Sequence, residues 1–182
     1  MSRVGIFLAD GFEEIEGLTV VDILRRAGID ISMISINGKK KVTGAHGIAL
    51  DTDEDIVQCD PDKLDMLVLP GGMPGTTNLA ACEKLTEALK KADQEKRGIA
   101  AICAAPSVLG GLGILEGKKA ACYPGFEDKL KGAEVVFDQV VRDGNVTTSR
   151  GMGTAIPFAL DLVSQLVSEE KAQELKTGII YG

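Results

Sequence analysis

The stretch "IAAICAAPSVLGG" (residues 99–111) changes character in its middle. Residues 99–103 form a short apolar run that reads as a buried strand. Pro106 suits the first turn of a helix, where a missing N–H is no loss. One thiol, Cys103, falls at the junction, with Ala101 and Ala105 two residues to either side. A strand-to-helix elbow that exposes a nucleophile needs small residues there, because the turn is tight and the backbone crowded. The G-x-S-x-G motif obeys the same logic. At a helix start the sulfur faces free backbone N–H groups, which favours the thiolate. A buried structural cysteine fits this pattern equally well.

Further short apolar runs lie at residues 3–9 ("RVGIFLA"), 30–36 ("DISMISI") and 65–70 ("DMLVLP"), and each reads as a buried strand. Between the first two, "EEIEGLTVVDILRRAG" (residues 13–28) spaces Ile15, Leu18, Val21 and Leu24 as a helix would. It is acidic at the front, basic at the end and stopped by Gly28. Residues 82–98 predict a second helix, and 153–167 and 169–178 two more. Residues 37–53 predict a small antiparallel excursion of two short strands, and Asp143-Gly144 marks a hairpin. Alternating strands and helices predict an α/β fold, a mainly parallel sheet with helices on both faces, in one domain over residues 1–182.

Charge and composition narrow the function. Against 20 Lys and Arg stand 27 Asp and Glu, a formal charge of −7, which argues against nucleic acid or an anionic membrane as the main partner. Tryptophan is absent, which disfavours base-stacking platforms. No run reaches transmembrane length, and the start of the chain is too short and acidic for a signal peptide. Four cysteines without a CxxC pair predict neither a zinc site nor a disulfide framework, and fit a reducing cytoplasm. Cys59, Cys82 and Cys122 are read as structural.

In such sheets ligands collect outside the carboxyl ends of the strands. Three of those ends are unusual: "ADGFEEIE" (residues 9–16), "LPGGMPG" (69–75) and "ICAAP" (102–106). The amides of Pro70-Gly71-Gly72 are placed to approach a ligand and hold an oxyanion, although a plain glycine turn has the same sequence. Glu13, Glu14 and Glu16 open a helix, where acidic residues complement the dipole. Glu14 shares a face with Leu18 and Val21, whereas Glu16 lies between Phe12 and Val20. Either, if buried, would hold its proton toward neutrality, and spacing leaves the choice open. The single histidine, His46, is expected in an exposed loop, which makes a Cys-His-Asp hydrolase hard to build.

Together, "DGFEEIE", "VLPGGMPG", "AAICAAPSVL" and "TSRGMGTA" resemble the signature segments of the ThiJ/PfpI superfamily, in the branch of the Parkinson-disease-linked deglycase and its bacterial relatives. The resemblance implies a flavodoxin-like three-layer sandwich, commonly a homodimer. It places the reactive cysteine at Cys103 and its protonated partner carboxyl at Glu16. Oxyanion amides fall at Gly71, Gly72 and Ala104. Tyr123, in "CYPGF", stands where relatives carry a histidine, a departure that weakens a cysteine protease or amidase reading. His46 aligns loosely with a basic residue that some relatives lend across the dimer. The implied activity needs no metal or organic cofactor: a cysteine enzyme acting on 2-oxoaldehydes, as a glutathione-independent glyoxalase or a deglycase of glycated proteins. Alternatives are an oxidative-stress sensor or chaperone whose cysteine becomes a sulfinate, and a cysteine amidase or peptidase.

Overall fold

The computed structural model describes residues 2–182. The chain opens with β1 (Arg3–Leu8), α1 (Glu14–Arg26) and β2 (Asp30–Ser35). A hairpin of β3 (Lys41–Thr43) and β4 (Ala49–Asp51) follows, then the short β5 (Glu54–Asp55). Next come β6 (Met66–Leu69), α2 (Gly75–Ala81), α3 (Glu83–Gln94), β7 (Gly98–Ile102) and α4 (Pro106–Gly111). Two-residue strands β8 (Lys119–Ala120) and β9 (Glu134–Val135) pair with each other. The hairpin of β10 (Val140–Asp143) and β11 (Val146–Ser149) leads to α5 (Ala155–Leu166) and α6 (Glu169–Gly178).

Seven strands form the main sheet in the order β10-β11-β7-β6-β1-β2-β5. Every pairing is parallel except the β10–β11 hairpin. Numbering β1, β2, β6, β7 and β11 as one to five gives the order 2-1-3-4-5, the flavodoxin-like winding. The winding reverses between β1 and β6, so the crevice at their carboxyl ends is where this topology leaves room for a ligand.

Both faces of the sheet are covered, which is why its strands are continuously apolar rather than alternating. On one face Phe7, Leu67, Leu69, Ile99 and Ala101 pack with Leu79, Leu85 and Leu89 of α2 and α3. On the other, Ile6, Leu8, Val68, Ala100 and Ile102 pack with Val20 and Leu24 of α1 and Phe158 and Leu162 of α5. The period of two along each strand therefore divides one apolar run between two cores. Among the described residues, no helix is long and apolar enough to cross a membrane.

The expected strands and the two hairpins are present, with ends displaced by about one residue. Two expectations need correction. Ile15 and Leu18, read as core positions, are exposed at 51% and 38%. Buried Glu14 and Glu16 set the roll of α1, so the face through Ile15 and Leu18 continues into the surface pair Asp22–Arg26. Helix α2 was not foreseen, because one buried leucine, Leu79, in seven residues gives no periodic signal. Where α1 and α5 pack together, Phe158 is fully buried. Phe158→Ala should cost about 3–5 kcal/mol, seen as a lower denaturation midpoint at unchanged m-value. A loss below about 1 kcal/mol would contradict this packing.

Candidate active site

Cys103 follows β7 directly and has φ +67°, a left-handed conformation uncommon for a residue with a side chain. Its backbone is held on both sides. Its N–H donates to Ser149 O at 2.9 Å, and its carbonyl accepts from Tyr123 N–H at 2.8 Å. Ala104 and Ala105 behind it are buried, as the crowded elbow requires.

Gly71, just past β6, is the third wall of this corner. A Cβ there would stand 2.6 Å from Cys103 Cβ, 3.0 Å from its Sγ and 2.8 Å from Glu16 Oε2. Only a bare backbone lets the three meet. The Gly71 N–H donates to Glu16 Oε2 at 2.8 Å, and Gly71 O accepts from Glu13 N–H at 2.8 Å. Glu16 also hydrogen-bonds Cys103, while the N–H groups of Gly72 and Ala104 act on the sulfur.

Glu16 is 1% exposed, and burial pushes its carboxyl up to about 7. The charge of Glu13 adds to the rise, and the hydrogen bonds from Cys103 and Gly71 offset only part of it. Burial also pushes the Cys103 thiol up, to about 12, helped by the charge of Glu16 and the hydrogen bond with it. This corrects the expectation of a helix start that favours the thiolate. The amides of Ala104 and Gly72 do lower the pKa, but α4 is only six residues long and does not outweigh burial beside a carboxylate. Two of the raising causes belong to ionised Glu16. Once that carboxyl is neutral, it donates to the sulfur instead of repelling it. The pair thus titrates as a unit.

Glu14, two residues before Glu16, is equally buried but serves another element. Its Oε1 accepts from the backbone of His46 at 2.8 Å and of Ile48 at 3.4 Å, and its Oε2 lies 2.8 Å from His46 Nδ1. Burial opposes its charge, yet the hydrogen bonds from the His46 side chain and from backbone amides win and hold it below its ordinary value. A Cβ on Gly44 would fall 2.2 Å from this carboxyl, so the hairpin turn can close over it only as glycine. His46 is exposed, as expected, and its pKa is raised by the hydrogen bond to Glu14 and the charges of Glu13 and Glu14. Glu13 Oε2 lies 3.6 Å from the same Nδ1. These three side chains place donor atoms within 4.8 Å of one another, the described grouping that could hold a metal ion.

An open cleft of about 570 Å³ joins these parts. Cys103, Glu16, Gly72, His46 and Tyr123 line it, with Gly71 and Ala104 immediately behind. Tyr123 is half exposed, and its ring lies 3.2 Å from where a Cβ on Gly151 would be. Every site residue expected from the sequence therefore gathers at one corner. Glu13 and Arg150 also line the cleft, although the sequence placed Glu13 only in a helix-opening cluster and Arg150 only within "TSRGMGTA". The further signal for Arg150 was its place straight after a strand, at the same edge as Cys103. Cys59 and Cys122 are buried, and burial pushes both thiols up to about 11.

Residues 2–165 match the model of the DJ-1/PfpI family. The chain belongs to that family. It is 40% identical over 180 residues to protein DJ-1 homolog B of Arabidopsis thaliana, covering 98% of this chain and 41% of the relative. This chain thus spans less than half of that protein's length. A Pyrococcus abyssi protein named as a deglycase is 33% identical over 166 residues, covering 90% of this chain and 99% of its own. The structure of oxidized Toxoplasma gondii DJ-1 superposes with a TM-score of 0.96 at 33% identity, covering 100% of both chains. The DJ-1/PfpI relationship accounts for the sheet order and the motif spacing together.

The raised carboxyl carries a stability consequence. Folding lifts Glu16 from 4.5 to about 7, so between those values the folded state binds more protons than the unfolded one. The Glu16 contribution to stability therefore falls as pH rises through this window and is gone above about 7, a total on the order of 3 kcal/mol. Glu16→Gln should flatten the decline in Tm between about pH 5 and pH 8. An unchanged decline would show that Glu16 is not the group responsible.

Proposed function

We propose that this chain is a cofactor-free cysteine enzyme acting on 2-oxoaldehydes, free or as adducts on proteins. The observation that carries the reading is the buried Glu16 carboxyl, raised to about 7 and hydrogen-bonded to Cys103 across a bare Gly71. Such a group can give and take protons near neutrality. The deglycase name of the Pyrococcus relative supports the same substrate class.

With methylglyoxal, Cys103 sulfur forms a bond to the aldehyde carbon while the C=O pair moves onto oxygen. The thiol proton passes to that oxygen through Glu16, giving a hemithioacetal and leaving a carboxylate. Glu16 then removes the proton from the former aldehyde carbon. The electron pair forms a C=C bond, and the ketone oxygen becomes the anion of an enediolate. The amides of Gly72 and Ala104 are the oxyanion donors. Return of the proton to the second carbon, with the hydroxyl proton of the first carbon passing to the oxyanion as its C=O forms, yields a lactoyl thioester, which water hydrolyses to lactate and free thiol. The sequence is a net internal oxidation and reduction, so no external oxidant is consumed.

Methylglyoxal conversion to lactate without glutathione should be lost in Cys103→Ser and Glu16→Ala. In the wild type, kcat/KM should rise with pH and level off above about 7, as the carboxylate base forms. Equal lactate formation by wild type and Cys103→Ser would refute the reading.

A second reading is favoured by the same donors. The Gly72 and Ala104 amides and a neutral Glu16 suit a Cys103 sulfinate, formed when two molecules of peroxide in turn each transfer one oxygen to sulfur, by way of the sulfenic acid, and are each reduced to water. The two roles are compatible, and a reducing compartment would keep the thiol available for the first.

We also infer a homodimer. Ile15 and Leu18 on α1, and Ile48 on the adjoining hairpin, are large exposed apolar side chains that a second copy would cover. Light scattering should give twice the 19.1 kDa chain mass, and Leu18→Glu should shift it toward one. A wild-type monomer would contradict the inference.

A further inference from the structure

Four charged side chains line the cleft: Glu13, Glu16, His46 and Arg150. Three of them have partners. Glu13 and Glu14 face His46, and Glu16 is held by Gly71 and Cys103. Arg150 differs. Among the described residues it makes no ion pair, and its Nε is buried with no hydrogen-bond partner. The one comparable atom is Nη2 of Arg97, a residue that otherwise donates to Pro61 O, Leu64 O and Glu95. A buried N–H left unmatched costs stability, and the planar guanidinium fork that carries it is shaped for a carboxylate or a phosphate.

The guanidinium is also held in position. Its Cζ lies over the Phe137 ring, 5.7 Å from the centroid, within the range of a cation–π contact. Ser149, immediately before it, donates to Gln139 O at 2.6 Å and shares a 2.7 Å hydrogen bond with the Thr154 hydroxyl. Thr154 in turn accepts from Gly151 N–H at 3.0 Å. One hydroxyl pair thus ties the segment carrying Phe137 to the loop carrying Arg150.

We propose that Arg150 forms an anion subsite of this cleft, receiving the carboxylate or phosphate of a substrate whose carbonyl end lies at Cys103. The inference rests on the 2-oxoaldehyde reading for the reacting end, and extends it to substrates that bear a second, acidic group. The chain's charge of −7 gives anions no general attraction, so the recognition is local.

The test separates binding from turnover. Inorganic phosphate and acetate are titrated into the Cys103→Ser protein while the amide resonances of Gly151 and Gly153 are followed by NMR. Saturable shifts are expected, weakened by about tenfold in Cys103→Ser/Arg150→Met and partly restored with Lys at that position. The stronger of the two anions identifies the acidic group. Phe137→Leu, which keeps the charge, should weaken binding by a few-fold. Shifts that are absent, or unchanged by Arg150→Met, overturn the subsite. In turnover, Arg150→Met should lower kcat/KM for phosphorylated hydroxypyruvaldehyde about tenfold more than for neutral methylglyoxal, chiefly through KM. Equal losses on both substrates would also overturn it. If neither substrate is turned over by the wild type, the enzymatic reading fails, and the phosphate titration alone decides the subsite.

Discussion

The arrangement turns on one proton shared between a buried carboxyl and a buried thiol. Glu16 comes from the first turn of α1 and Cys103 from the elbow after β7. They meet only because Gly71, from a third strand end, has no side chain to separate them. Burial alone would raise both groups and leave a neutral, unreactive pair. The amides of Gly71, Gly72 and Ala104 supply the opposing pull, so the site can carry one negative charge near neutrality. That charge can reside on oxygen or on sulfur, and a substrate that draws it to sulfur finds a base already beside it.

The same helix turn shows how neighbouring carboxyls acquire opposite characters. Glu14 and Glu16 are both buried, yet one is held below its ordinary value and the other well above it. The difference lies in their depth and their partners: Glu16 sits deep at the strand ends, whereas Glu14 lies just beneath an exposed hairpin turn. Glu14 receives the turn of the β3–β4 hairpin, with His46 and two backbone amides, and fastens that hairpin beside the cleft. Glu16 faces a thiol and a single amide. Environment separates an acid–base group from a structural anion within one helical turn.

Much of this was legible in the sequence. The alternating apolar runs carried the sheet and its two faces, because parallel strands buried on both sides leave that pattern. The alanines around Cys103 and the proline after it marked the elbow, since the constraint there is local. Glu14 and Glu16 could not be told apart, because their partners arrive from residues 44–48 and 71, and helical spacing says nothing about either. Ile15 and Leu18 misled for a related reason: periodicity reports an apolar stripe without saying whether the chain itself covers it. The high thiol pKa was hidden too, because the helix start is visible in sequence and the buried carboxylate beside it is not. Arg150 stood inside the "TSRGMGTA" segment, but nothing in that segment's pattern told a cleft-lining cation from a surface one.

The most direct test is the protonation state of Glu16 in the reduced protein, read from its carboxyl infrared or ¹³C NMR signal as a function of pH. The account predicts a carboxyl that titrates near 7, with a midpoint that moves when Cys103 is replaced by serine. A midpoint at the ordinary value of 4.5, unaffected by that replacement, would contradict it.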